Sequence, residues 1–141
     1  MNPILRNILA VLAGAIIGII INSGLVNISP MIIPLPEGVD TNDIESLKAA
    51  MPDFEAKHFI MPFLAHALGT LVGAFTTAKL AISHHFKLAM VIGGFFLLGG
   101  IMAANMLPAP LSFEIMDIAL AYIPTAWLGW KLSGQGKAAA A

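Results

Sequence analysis

The chain has 141 residues and no cysteine. That excludes disulfides, thiol redox chemistry, haem attachment through CxxCH and thiolate metal sites. Charge is also scarce: 11 % of residues are Asp, Glu, Lys or Arg, against about 25 % in an ordinary soluble domain. So few charges cannot cover a water-facing surface, so much of the exterior has to face lipid. The formal net charge of −1 offers no basic face, which excludes nucleic acid as a partner. Catalytic signatures are missing as well. The few serines lie outside any GxSxG context, and neither a Walker motif nor a dinucleotide fingerprint occurs. No HxxxH, HxxE or HExxH spacing is present, and His58 and His66 stand two helical turns apart. No metal, no cofactor and no enzymatic activity are expected.

What the chain does have is long apolar runs. A helical span needs roughly 20 mainly apolar residues to cross about 30 Å of hydrocarbon. Four segments qualify, at about 4–27, 59–82, 87–107 and 112–132. The alternation of a membrane barrel is absent, which leaves helices as the spanning structure. The N-terminal run continues past the small residues of AVLAGA, so it reads as an uncleaved span. The expected fold class is all-α, an integral membrane four-helix bundle forming one domain over residues 1–132. Residues 133–141 read as a disordered or cloning-derived tail.

The connections are unequal. SHHF at 83–86 and LPAP at 107–110 are tight turns, and residues 28–58 form one long outer loop. Pro34, Pro36 and Gly38 keep its first part extended or turning. DTNDIESLKAAM predicts a short amphipathic helix, capped by Thr41 or Asn42, with Asp43 and Glu45 at its positive end. Ile44, Leu47 and Met51 share its apolar face, and Pro52 ends it.

Basic residues set the orientation. With the N-terminus inside, Arg6, Lys79, Lys87, Lys131 and Lys137 fall on the inner side, while only Lys48 and Lys57 fall outside. The acids lie on the outer side or in outer membrane halves. Both termini are expected in the cytoplasm, and the expected partner of the whole surface is the lipid bilayer.

Helical spacing then brings polar groups together. His66 shares a face with Gly69, Gly73 and Thr77, and Gly14 and Gly18 lead along the first span to Asn22. Such glycine faces let membrane helices approach closely, so His66 is expected to point into the bundle, roughly 10 Å inside the outer boundary. Asn105 shares a face with Gly94 and Ile101, and Glu114 and Asp117 stand three apart with Ala121 and Pro124 continuing inward. Asn22, His66, Asn105, Glu114 and Asp117 thus all lie in the outer half, where they could meet in one pocket for a cation, a proton or a polar small molecule. An ionisable residue within a span is costly and is read as functional by default, and His66 beside Asp117 would form a proton-carrying pair. Equally, His66 could bond an amide or carbonyl and only hold helix register. Pro124 implies a kink, with Thr125 placed to satisfy freed backbone.

Four spans joined to PLPEGVDTNDIESLKAAMP resemble a group of small bacterial inner-membrane proteins with no assigned activity. The resemblance is carried by Pro34, Pro36, Gly38, Asp40 and Asp43, and by Ala67, Leu68, Gly69 and Gly73 in the second span. It implies the topology and a bacterial inner membrane. Small four-span multidrug exporters match in size but carry an acid in the first span, where this chain has none. The expected role is a structural, accessory or assembly subunit, as a homo-oligomer or within a larger membrane complex. The alternative is a small oligomeric transporter or channel using the outer polar cluster.

Overall fold

The computed structural model describes residues 2–138 and is all-helical. In chain order the helices are α1 (Pro3–Ile32), α2 (Ile44–Ala50), α3 (Ile60–Leu80), α4 (His85–Met106), α5 (Leu111–Leu120), α6 (Ile123–Leu132) and α7 (Gln135–Ala138). Four stretches are long and apolar enough to cross a membrane: Pro3–Ile32, Ala56–Leu80, His85–Met106 and Leu111–Leu132. They run up and down, which leaves the N-terminus, the α3–α4 turn and α7 at one end and the 33–59 segment at the other, the cap end. Leu98 is 65 % exposed and Ile20 is 62 % exposed, within a wide belt of exposed apolar side chains. Such a surface suits lipid and not water.

The α1–α3 seam holds the bundle together. The two helices are antiparallel, with Gly14 against Gly73 and Gly18 against Gly69. A Cβ on Gly18 would lie 2.7 Å from the Gly69 carbonyl oxygen, and one on Gly73 would lie 2.8 Å from that of Gly14. One on Gly14 would collide with the Thr77 hydroxyl. That hydroxyl donates to the Ala10 carbonyl at 3.2 Å and so bonds across the seam. The four glycines are therefore used inside the chain, where close backbone approach replaces the hydrophobic effect that lipid does not supply. The rest of the core is also small. Ala65, Ala74, Ala78, Ala89, Ala121 and Ala126 are fully buried, and Ile92, Phe96 and Tyr122 are the larger buried residues of α4 and the fourth span.

Both ends of the seam are pinned. At the terminal end, Asn7 donates from Nδ2 to Ser83 Oγ at 3.0 Å and accepts from the Ile82 N–H at 3.0 Å. His84 takes a left-handed φ of 54° to start α4, and His85 Nδ1 donates to the Ala78 carbonyl at 2.9 Å. At the cap end, buried His58 joins the two halves of the loop. The Glu55 N–H donates to its Nδ1 at 2.8 Å, and its Nε2 donates to the Pro34 carbonyl at 3.2 Å.

Several boundaries differ from those expected. Helix α1 runs to Ile32 instead of ending near 27, and it contains Pro30. In its last turns Pro30 costs one backbone bond without stopping the helix, and the 30 residues reach about 45 Å, beyond the hydrocarbon thickness. Helix α2 is capped by Asp43, whose side chain accepts from the Glu45 N–H at 3.1 Å, and not by Thr41 or Asn42. Asn42 instead donates its N–H to Asp40 Oδ1 at 2.9 Å. The fourth span is two helices, broken at 121–122. Residues 135–138 form a helical turn after the bundle, and 139–141 of the expected tail lie outside the described residues.

The seam gives a direct test. Gly14→Ala is expected to lower stability in detergent by about 1–3 kcal/mol or more, as overpacking does. Gly24→Ala, which meets open space, is expected to be neutral or slightly stabilising. Denaturant titration followed by circular dichroism reads both.

Candidate functional site

Asp117 lies six residues into α5 and His66 six residues into α3, so each is roughly 9 Å from the cap-end start of its helix. The structure brings them into direct contact. His66 Nδ1 lies 2.9 Å from Asp117 Oδ1 and 3.0 Å from Oδ2. Tyr122 completes a triad, because its hydroxyl donates to Asp117 Oδ2 at 2.6 Å and lies 3.0 Å from His66 Nδ1. The tyrosine spends its proton on the carboxylate, so the histidine ring must donate from Nδ1. Asp117 is 4 % exposed and Tyr122 is 1 % exposed, so the carboxylate is screened from everything except these two donors. Lower on α3, the Thr70 hydroxyl donates to the His66 carbonyl at 2.8 Å and steadies that turn.

The break in the fourth span makes the triad possible. In an unbroken helix, residues five apart point about 140° away from each other, and Asp117 and Tyr122 could not share a proton. Pro124 has no N–H for the Leu120 carbonyl, and its ring crowds that turn. Tyr122 leaves regular helical geometry at φ −118°, ψ −74°. The Thr125 hydroxyl donates to the Ala121 carbonyl at 2.6 Å and approaches that of Tyr122 at 3.0 Å. Past the break the buried face shifts by one residue, to Tyr122, Ala126 and Gly129. Pro124, expected on the inward face with Asp117 and Ala121, is exposed for that reason. Gly100 on α4 makes room for the tyrosine, since a Cβ there would collide with its ring.

The remaining expected residues divide. Asn22 lies beside Gly69, one turn toward the terminal end from His66, and lines the same cavity. Its side chain makes no hydrogen bond among the described residues, and its Oδ1 is shut off from solvent without a partner. Asn105 stands outside the cluster. It is exposed and donates to the Ile101 carbonyl on its own helix at 2.8 Å. The buried face of α4 is Ala89, Ile92, Gly93, Phe96 and Gly100, which turns Gly94, Ile101 and Asn105 outward. Glu114 is also outside the triad, half-buried in the first turn of α5, where the helix dipole favours an acid.

His66 faces two cavities. One of about 460 Å³ runs between α1 and α4 and is lined by Asn22, His66, Phe96, Gly100 and Tyr122 among others. The other, about 210 Å³, lies beneath the cap and is lined by His58, Phe59 and His66 with residues of α1 and α2. Nε2 of His66 makes no hydrogen bond among the described residues. The arrangement is a carboxylate that holds an imidazole by Nδ1 while Nε2 is left to take or give a proton. For a metal it supplies two ligating side chains, and no third His, Asp, Glu or Cys joins them among the described residues. No family model, curated protein or solved structure matches the chain, so the group it resembles carries no activity to this site.

The hydrogen bonds assign opposite tautomers to the rings of His66 and His58. Nitrogen-15 NMR of histidine-labelled protein is expected to show a protonated Nδ1 at His66 and a protonated Nε2 at His58. Tyr122→Phe removes one donor from a buried carboxylate. It is expected to cost about 1–3 kcal/mol in the same unfolding measurement and to shift the His66 resonances while leaving those of His58 in place.

Proposed function

We propose that the chain is a multi-pass protein of the bacterial inner membrane that binds and exchanges a proton, or a polar small molecule carrying one, at the His66–Asp117 pair. It belongs on this reading to the small transporters. The observation that carries it is that the ring is fixed at Nδ1 by a buried carboxylate while Nε2 is unpartnered beside two cavities. A proton taken at Nε2 creates an imidazolium already in contact with Asp117. The new charge is compensated where it forms, and the cost of a lone charge among apolar helices is avoided.

Orientation supports a site loaded from outside. Arg6, Lys79, Lys87 and Lys131 lie at the terminal end, while Glu37, Asp40, Asp43, Glu45, Asp53 and Glu55 lie at the cap end. The positive-inside rule places the termini in the cytoplasm. The glycine and alanine core closes the bundle between His66 and the terminal end, which argues against a permanently open pore within one chain. Passage requires movement, and the broken turn at 121–122 beside the triad is the natural hinge.

A second reading is an accessory or assembly subunit. It draws on the α4 face of Gly94, Ile101 and Asn105, which no described helix covers. It finds no free glycine face in Gly14, Gly18, Gly69 and Gly73, which are occupied within the α1–α3 seam.

Proteoliposomes holding a trapped pH dye separate the two. With a pH gradient imposed, the transporter reading expects proton flux that falls to the level of empty liposomes in His66→Ala and Asp117→Asn, both variants still eluting as folded protein. No flux from the parent chain, with variants altered only in stability, would favour the accessory role.

A further inference from the structure

The cavity between α1 and α4 holds more than proton exchange requires. Its wide part is apolar and is formed by Ile19, Phe95, Leu98 and Met102. These side chains all belong to the exposed belt, so the cavity opens sideways toward the lipid layer. Its narrow end is polar. There Asn22 Nδ2 and His66 Nε2 make no hydrogen bond among the described residues, while Asn22 Oδ1 is sealed away from the groove. Polar atoms in apolar surroundings are nearly always hydrogen-bonded, so two unbonded nitrogens on a lipid-facing cavity wall point to a group that comes from a ligand.

Charge narrows the class of ligand. Asp117 lies behind His66 and Tyr122, so an ammonium finds no exposed carboxylate in the groove. No Lys or Arg lines it, so a carboxylate or phosphate finds no fixed cation. The available groups are an amide N–H, which donates, and an imidazole nitrogen, which accepts when Nδ1 carries the only ring proton. A neutral hydroxyl matches both, because it donates to His66 Nε2 and accepts from Asn22 Nδ2. The cavity volume, about 460 Å³, falls within the ~300–1,000 Å³ of ordinary small-molecule sites.

We propose that the α1–α4 groove binds a neutral, lipid-soluble alcohol that enters sideways from the bilayer, with its apolar body against Phe95, Leu98 and Met102 and its hydroxyl at Asn22 and His66. This rests on the reading of His66 as the exchanging group and names the ligand class that meets it there.

The glycines of α4 make a clean test. Gly99 lines the groove, Gly94 does not, and a Cβ at either meets nothing within 4 Å. The chain is placed in phosphatidylcholine nanodiscs with a diazirine-bearing hexadecanol, illuminated, and mapped by mass spectrometry. Label is expected on Leu98 and Met102, competed by plain hexadecanol and not by hexadecanoic acid. Gly99→Phe fills the groove, and Asn22→Ala keeps the Cβ that rests on Gly69 while removing the amide. Asn22→Ala is expected to lower labelling about tenfold, the effect of losing one polar contact, and Gly99→Phe at least as much by occlusion, while Gly94→Phe retains it. Label spread evenly over the belt and indifferent to these variants would mean simple filling by lipid and would overturn the proposal, as would equal competition by the acid. Specific labelling without proton flux in liposomes overturns the transport reading and leaves the groove. Flux without groove labelling overturns the groove alone.

Discussion

Asp117 is a carboxylate held among apolar helices at 4 % exposure, and a group in that position has to be met by donors from the protein. Two answer it, His66 from α3 and Tyr122 from just beyond the end of α5. Much of the cap-end half of the molecule follows from satisfying both. The fourth span must break so that a residue five positions on can turn back toward the acid. Gly100 must lack a side chain so that the tyrosine ring fits. His66 must present Nδ1 inward, which fixes the direction of its other nitrogen.

The second constraint is the absence of a hydrophobic effect between helices in lipid. The chain meets it with glycine and alanine at most inner positions, and α3, pressed closely against α1, α4 and α6, is the most buried of the four spans. The result is a closely packed α1–α3 seam through the middle of the bundle. Toward the cap end, two cavities reach His66 beside Phe96, Tyr122 and the cap residues.

The cap belongs to the same arrangement. His58, with both ring nitrogens bonded, ties the extended segment at Pro34 to the turn before α3. It closes the smaller cavity over the His66 ring. One histidine with both nitrogens occupied serves the architecture, and the other, with one nitrogen free, is available for chemistry.

Much of this was legible in the residues. Four apolar runs of spanning length, the inward glycine face beneath His66, and the small-residue stripe from Ala10 to Asn22 follow from helical period and composition alone, which act locally. The nearness of His66 and Asp117 could be expected because both sit at the same depth. Tertiary structure decided what period alone could not. It rotated Tyr122 into the site by breaking a helix, because Pro124 removes a backbone bond whose local effect depends on how neighbouring carbonyls are satisfied. It turned Asn105 outward, because the choice of which face of α4 is buried depends on α3 and α6 and not on α4. It also left the Asn22 amide without a partner among the described residues beside an open groove, since which residues of α1 and α4 face each other depends on how both helices pack on α3.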